Sequence, residues 1–268
     1  MTISGTISRR TVEATDRTIA PPPRGLLLLE GRALLELAAL LPAYPLLRRA
    51  PKGDGHPVLV FPGFMGTDFS TRALRAFLRE RGHAAHGWKL GRNVGPNPET
   101  VSGLVARLAE LRQRYGRRVS LIGWSLGGIY ARELSRHHPD DVRLVITLAS
   151  PFRHLDAVNV PRFLRERRGA HPDEAALARQ LTAPLTVPTT AIFSRSDGIV
   201  AWRSCLTDPG PLAENVEVES SHLGIGHHPV TLLTIADRLA QPEGHWQPFQ
   251  PPRGWRWPFV PRVLATPA

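Results

Sequence analysis

A serine at position 125 stands between glycines in the segment Gly-Trp-Ser-Leu-Gly-Gly, residues 123–128. The segment follows an apolar run and precedes a helical pattern, which predicts a sharp strand-to-helix turn with Ser125 at its apex. Glycines are needed on both sides because side chains there would collide with the adjoining strand and helix. The helix that follows directs free N–H groups and the positive end of its dipole toward the turn, where they would stabilise an oxyanion. The pattern therefore predicts a nucleophilic serine.

A serine hydroxyl is a good nucleophile only when a base takes its proton and a carboxylate orients that base. In a parallel α/β sheet the expected order along the chain is serine, acid, histidine. Asp197 directly follows one predicted strand, and His222 follows the last one. Because ligands bind at the carboxyl edge of such sheets, we expect Ser125, Asp197 and His222 to meet there as a catalytic triad.

Other residues compete for the roles of base and acid. His227 and His228, just before the last predicted helix, are the alternative bases. The alternative acids all lie in an insertion or in turns, away from the strand ends: Asp156, Asp173 and Asp208. Position relative to the predicted strands favours Asp197 and His222.

The loop after the first core strand, Phe-Pro-Gly-Phe-Met-Gly (residues 61–66), contains two glycines that would let backbone N–H groups approach a ligand closely. An oxyanion hole here would combine one of these N–H groups with that of Leu126, the residue after the nucleophile. Phe64 is the expected donor and Met65 the reserve. The alternative is an ordinary tight turn.

Several apolar residues near the expected site suggest a substrate pocket for an acyl group: Trp124, Met65, Leu223 and Ile225. They could equally be residues of the hydrophobic core.

The elements that must position these residues form an α/β pattern. Short apolar or β-branched runs alternate with helical patterns, which predicts a mostly parallel central sheet flanked by helices. The predicted strands are residues 58–61, 86–90, 119–123, 142–148, 189–193 and 216–219. The predicted helices of this core are residues 70–81, 99–115, 126–137 and 230–240.

The chain divides into a core at residues 51–240 and two flanking segments. Residues 1–50 contain a polar arm and an amphipathic leucine-rich helix, predicted to about residue 41, with a lipid-surface helix as the sharper alternative. An insertion at about 152–186, with helical patterns at 160–168 and 173–181, is too long for an ordinary connection and predicts a short helical lid. The tail, residues 241–268, is rich in proline and tryptophan and predicts an extended strap.

Composition excludes several classes of protein. The 268 residues are 42% apolar, which is enough for a substantial core and too many for a disordered chain. The single cysteine excludes an intramolecular disulfide framework and favours a reducing compartment. The net charge of +11 comes from arginines that alternate with glutamates along predicted helices, which argues against a nucleic-acid partner.

No apolar run is long enough to span a membrane and no signal peptide is seen, so a cytoplasmic location is expected, with peripheral contact to a lipid surface as the alternative.

Taken together, these segments resemble the α/β-hydrolase superfamily, in particular its bacterial lipase- and esterase-like members. The resemblance covers roughly residues 55–240 and rests on residues 58–66, 121–128, 147–151, 193–197 and 221–226. The family usually has His-Gly in the oxyanion loop, whereas this chain has Pro62-Gly63. That difference removes a side chain that orients the loop and leaves the main-chain donors in place.

The resemblance implies a serine-dependent carboxylic ester hydrolase that acts through an acyl-enzyme on an apolar acyl ester. Ser125 would be the nucleophile, Asp197 the acid and His222 the base, with no metal and no organic cofactor. Two alternatives stay open, namely an acyltransferase that uses the same triad and a non-catalytic hydrolase-like binding protein. Fold alone does not choose between them.

Overall fold

One sheet of seven strands forms the centre of the molecule. The computed structural model describes residues 19–161, 174–208, 210–251 and 262–263. The strands in chain order are β1 (Pro57–Phe61), β2 (Ala84–Gly87), β3 (Val119–Trp124), β4 (Val142–Leu148), β5 (Thr189–Phe193), β6 (Ala213–Glu217) and β7 (Arg262–Val263). They lie in the order β2-β1-β3-β4-β5-β6-β7. Every pair is parallel except β6 and β7, which are antiparallel. The predicted α/β class is confirmed.

Helices connect the strands and precede the sheet. The helices are α1 (Ala33–Ala38), α2 (Leu40–Leu47), α3 (Arg72–Glu80), α4 (Pro98–Tyr115), α5 (Leu126–His137), α6 (Glu174–Thr182) and α7 (Pro229–Ala240). In the described ranges two further segments are 3₁₀-helical, Arg24–Arg32 and Trp202–Cys205. Among the helices of the described ranges, none is both long and apolar enough to cross a membrane.

Both faces of the sheet are buried, because successive side chains of a strand point to opposite faces. On one face Val58 and Val60 of β1 pack with the apolar sides of α2, α3 and α7. On the other face Leu59 and Phe61 pack with those of α4 and α5. Strands covered in this way read as continuous apolar runs, which explains why β3 and β4 could be recognised in the sequence.

Several predicted boundaries differ from the observed ones for identifiable reasons. The second strand was expected at 86–90 but ends at Gly87, because the Asp68 carboxylate accepts hydrogen bonds from the N–H groups of Trp88 and Lys89. Lys89 also has a φ of 63°, which turns the chain out of the sheet. The last parallel strand was expected at 216–219 and instead spans Ala213–Glu217.

The N-terminal helix was expected to end at about residue 41, and it instead continues as α2 to Leu47. Pro42 falls in the first turn of α2, where a missing N–H costs nothing, and Pro45 is tolerated within the helix. Leu47 is buried among residues of the core, and this contact holds the last turn of α2 in place.

Three predictions fall partly outside the described residues. The polar arm up to residue 18 and most of the first helical pattern of the insertion lie there, so the lid stays a prediction. The second helical pattern of the insertion is observed as α6. In the described part of the tail, Phe249 is buried and its N–H donates to the carboxylate of Glu214, and the strap as a whole stays a prediction.

Two buried histidines make the free energy of unfolding depend on pH. His56 and His83 lie against each other with ring centroids 4.8 Å apart. Burial lowers the pKa of both to about 4, with Arg143 acting in the same direction. The unfolded chain therefore binds protons below about pH 6.5 that the folded chain does not bind. The contribution of these two histidines to the free energy of unfolding is fully present above about pH 6.5, and it is lost as the pH falls toward 4.

We expect the melting temperature to fall steadily as the pH is lowered from about 7 to about 4, as measured by circular dichroism. Each of the two histidines should contribute about 3 kcal/mol to the loss at the acid end. The variant His83→Gln should have a shallower pH dependence, whereas His245→Gln, at an exposed position, should match the parent chain. A melting temperature that stays constant over this range would contradict the interpretation.

Candidate active site

Ser125 occupies the turn between β3 and α5. Its backbone has φ 52° and ψ −121°, a conformation that side chains rarely adopt. Its N–H donates to the carbonyl of Leu148 at the end of β4, 2.8 Å away, which fixes the turn to the neighbouring strand. Strain of this kind lifts the serine side chain clear of the sheet at its carboxyl edge.

The glycines on both sides of Ser125 are required by contacts with backbone atoms. A Cβ at position 127 would lie 2.6 Å from the carbonyl oxygen of Phe61, and one at position 123 would collide with the backbone of Gly127 and Gly128. Since these neighbours belong to a strand and a helix, they cannot move aside as a flexible side chain would.

Replacing Gly123 by alanine should therefore destabilise the fold by about 3 kcal/mol and open the turn at Ser125. Chemical denaturation measures the first effect, and loss of serine reactivity measures the second. Gly25→Ala is the matched control, because a Cβ there meets nothing within 4 Å. Equal stability of the two variants would show that the turn is not as tight as described.

Asp197 and His222 form a buried hydrogen-bonded pair at the same sheet edge. Asp197 follows β5 and His222 follows β6, and both side chains are almost fully buried. His222 Nδ1 lies 2.8 Å from Asp197 Oδ2. The other carboxylate oxygen, Oδ1, accepts hydrogen bonds from the N–H groups of Ile199 at 2.8 Å and Val200 at 2.7 Å. All the contacts of Asp197 thus fix its carboxylate and the His222 ring in one orientation.

The charges around His222 oppose the effect of its burial. Burial by itself lowers the pKa of the imidazole, but the Asp197 carboxylate and its hydrogen bond raise it, and Glu30 adds to the rise. The net effect is a pKa above the ordinary value for histidine. The pair with Asp197 also leaves Nε2 as the ring nitrogen available to accept a proton.

Ser125 is not hydrogen bonded to this pair, and its turn is joined to the loop of His222 through the preceding residue. The indole N–H of Trp124, the preceding residue, donates to the carbonyl of His222 at 3.1 Å, so the serine turn and the base loop are in contact. Within the described part of the chain, the Ser125 hydroxyl forms no hydrogen bond. Bonds between a nucleophile and its base commonly tighten only when substrate binds.

The loop at residues 62–66 packs directly against the serine turn. A Cβ at Gly63 would lie 3.3 Å from the Cβ of Ser125. Phe64 N–H makes no hydrogen bond with any described residue, and Leu126 N–H, as the first of its helix, has no partner within the helix. These two N–H groups remain the candidates for an oxyanion hole.

Met65, the reserve donor, is engaged elsewhere. Its N–H donates to the carbonyl of Asn93 at 2.7 Å, so it is not free to bind an oxyanion. Asn93 is fully buried, and its side-chain amide donates to the carbonyl of Pro62 at 2.9 Å. Asn93 thereby holds both ends of the loop, a role that the sequence did not reveal because Asn93 follows β2 rather than β1.

Among the solved structures that are similar to this chain are two of lipolytic enzymes. The mature form of Bacillus licheniformis lipase BlEst2 matches 71% of this chain and 94% of its own length, with a TM-score of 0.53 and 18% identity. The structure reported for the metagenome-derived lipolytic enzymes LipS and LipT matches 70% and 93%, with a TM-score of 0.53 and 17% identity. This chain has the α/β-hydrolase fold. The resemblance found in the sequence is therefore confirmed at the level of the fold.

A further solved structure matches this chain with a lower TM-score. Aspergillus fumigatus lipase B matches 70% of this chain with a TM-score of 0.49 and 18% identity, and the chain spans 53% of the length of that protein. No family model matches the chain, and no curated protein is similar in sequence.

The predicted pocket residues divide into two groups. Trp124 and Ile225 are buried members of the core, the alternative that the sequence left open. Met65 and Leu223 are exposed, with 38% and 49% of their surface accessible. Of the four, Met65 and Leu223 are therefore the side chains accessible from solvent.

Among the competing bases and acids, His227 and Asp208 are engaged with other partners. His227 Nε2 is hydrogen bonded to the carbonyl of Ala33 at 3.0 Å, and burial lowers the pKa of His228. Asp208 pairs with Arg153 and Asp156 is exposed in a turn. Asp173 lies outside the described residues. In the ranges that the structure describes, no cluster of three or more histidine, cysteine or acidic side chains could hold a metal ion.

Two buried glutamates of the N-terminal segment bind the loops that carry the acid and the base. Glu30, from the first 3₁₀ segment, accepts hydrogen bonds from the N–H groups of Gly198 (2.8 Å), His222 (3.0 Å) and Leu223 (2.9 Å). Glu36, from α1, accepts from the N–H and hydroxyl of Ser221 at 2.8 and 2.7 Å. The sequence shows them only as charges that interrupt a leucine-rich run, so it gave no sign of these distant partners.

Proposed function

We propose that the chain is a carboxylic ester hydrolase that uses Ser125 as its nucleophile. The observation that carries the proposal is the buried hydrogen bond between Asp197 and His222 at the sheet edge where Ser125 occupies its strained turn. A purely structural role rarely requires a buried carboxylate–imidazole pair at the sheet edge that carries a strained serine. Acyl transfer to serine requires the serine, the imidazole and the carboxylate together. The likeness in fold to solved lipases and lipolytic enzymes supports the proposal.

The proposed reaction uses these groups in two steps. The Ser125 oxygen attacks the ester carbonyl carbon while His222 Nε2 takes the hydroxyl proton, and Asp197 stabilises the imidazolium that forms. The carbon–oxygen bond to the alcohol then breaks, and His222 gives its proton to the departing alcohol. Water attacks the acyl-enzyme through the same base, so that the acid leaves and Ser125 regains its proton.

Charge on the carbonyl oxygen would be stabilised by the N–H groups of Phe64 and Leu126. Each such donor typically lowers the barrier by about 2.7–4 kcal/mol. The exposed side chains of Met65 and Leu223 favour an apolar acyl group over a charged one.

Hydrolysis of p-nitrophenyl esters from acetate to palmitate by the full chain tests the proposal. We expect turnover of at least part of the series, and labelling of Ser125 by a fluorophosphonate probe located by peptide mass spectrometry. Adding an alcohol or thiol acceptor tests the acyltransferase alternative, which predicts an ester or a thioester, respectively, in place of free acid. Lack of both turnover and labelling would contradict the proposal and favour a binding protein.

A further inference from the structure

The N-terminal helical segment, residues 24–47, has an inverted distribution of side chains. Its two acidic residues, Glu30 and Glu36, point inward and are buried. Its most exposed apolar side chains are those of Leu28 (86%), Leu34 (76%), Leu35 (73%) and Leu41 (81%). An ordinary surface helix buries its leucines and exposes its charges. Residues 24–47 therefore present an outer surface, here called the leucine face, that water solvates poorly.

The exposed charges that belong to the segment itself are positive, and the Glu80 carboxylate of α3 lies beside it, where it accepts a hydrogen bond from Tyr44. Between residues 24 and 49 the acidic residues are the two buried glutamates, whereas Arg24, Arg48 and Arg49 are exposed. A second copy of the chain docked on this face would bring arginines against arginines in a protein of net charge +11. An anionic lipid surface is complementary both to the leucines and to the arginines.

We propose that the leucine face docks on anionic lipid bilayers. The face adjoins the site, because Glu30 of the same segment accepts hydrogen bonds from the backbone of His222 and Leu223. Docking would therefore bring the entrance of the site close to the lipid. This consequence rests on the proposed ester hydrolysis, whereas the docking itself does not.

Sedimentation of the full chain with lipid vesicles tests the docking, with Ser125→Ala used so that hydrolysis plays no part. We expect binding to vesicles of phosphatidylcholine with phosphatidylserine, weaker binding to phosphatidylcholine alone, and loss of binding at high salt. The triple variant Leu28→Gln, Leu34→Gln, Leu41→Gln should bind at least about tenfold less tightly.

The matched control carries Val101→Gln and Val105→Gln on α4, where the exposed apolar side chains belong to a different surface. It should bind as the parent chain does. Three outcomes would overturn the proposal: no sedimentation with anionic vesicles, equal binding to both vesicle types, or a dimer that the triple variant abolishes without any vesicle binding. None of these outcomes bears on whether the chain hydrolyses esters.

The buried carboxylate of Glu30 bridges the loop of the acid and the loop of the base. Its carboxylate accepts hydrogen bonds from Gly198, the residue after the acid, and from His222, the base itself. The loops are packed closely around it, since a Cβ at Gly198 would collide with the backbone of Leu26. We infer that Glu30 is a positioning residue that fixes the acid loop relative to the base loop, an inference that rests on the proposed function.

Glu30 also acts on His222 through its charge, since it contributes to the raised pKa of the imidazole. The isosteric variant Glu30→Gln removes the charge and places an NH₂ group opposite a backbone N–H. We expect kcat to fall by about ten- to a hundredfold with little change in KM, because the loss is one of orientation rather than of substrate contact.

Titration of His222 by NMR with labelled histidine, in the Ser125→Ala background, tests the same inference without turnover. The pKa of His222 should be lower in Glu30→Gln than in the parent, and closer to the parent in Glu30→Asp, which keeps the charge. Glu36→Gln is the matched control, since it loosens the same segment but should leave the titration of His222 unchanged. An unchanged titration in Glu30→Gln, together with unchanged kcat, would overturn the inference. A parent chain without turnover would instead count against the proposed function.

Discussion

Ser125→Ala should lower kcat/KM for ester hydrolysis by about 10⁴- to 10⁶-fold, because no other group in the site can form the acyl-enzyme. Stability should change by less than about 1 kcal/mol, since the hydroxyl makes no hydrogen bond with any described residue and alanine can adopt the same backbone conformation. Steady-state kinetics on the best p-nitrophenyl ester and denaturant unfolding measure the two effects.

The control for this variant is Ser102→Ala on the exposed side of α4, where the hydroxyl bonds only to its own helix. It should retain the activity of the parent chain. Turnover by Ser125→Ala within tenfold of the parent would exclude Ser125 as the nucleophile, and a fold lost on mutation would appear in the unfolding curve rather than in the kinetics alone.

Asp197→Asn should lower kcat by about 10⁴-fold while leaving the backbone of its loop in place. The amide can still accept hydrogen bonds from Ile199 and Val200, but its NH₂ group would favour the wrong tautomer of His222. The matched control is Asp208→Asn, a rejected alternative acid that pairs with Arg153 at the surface, and it should retain turnover within about twofold.

The pH dependence gives a second measure of the same pair. His222 accepts a proton only when it is neutral, so the activity of the parent chain should fall as the pH drops through a pKa above about 6.5. Loss of the Asp197 charge lowers that pKa, so the acid limb of the residual activity in Asp197→Asn should move to lower pH. An acid limb at the same pH in both proteins would show that Asp197 does not act on the base.

The parts of the fold that the sequence predicted are those with local signals. β4, β5 and α5 were located to the residue, since continuous apolar runs and the glycine turn mark their limits. The placement of Asp197 and His222 just after successive strands predicted that they would meet, and the structure brings them to hydrogen-bonding distance.

The parts that the sequence missed depend on contacts between distant residues. β7 has two residues, too few for a periodic pattern, and it is defined by its pairing with β6. Whether the N–H of Met65 is free depends on Asn93, which belongs to another loop. The partners of Glu30 lie more than 160 residues further along the chain, so no local pattern could indicate that this charge is buried.

The contacts of Glu30 also set when the site can be completed during synthesis. Glu30 is synthesised before the loops that it joins, which follow β5 and β6 more than 160 residues later in the chain. Contacts of such large sequence separation form late in folding. A nascent chain therefore contains Ser125 well before His222 is made, and the proposed chemistry requires that translation has passed residue 223 and that Glu30 has met its partner loops.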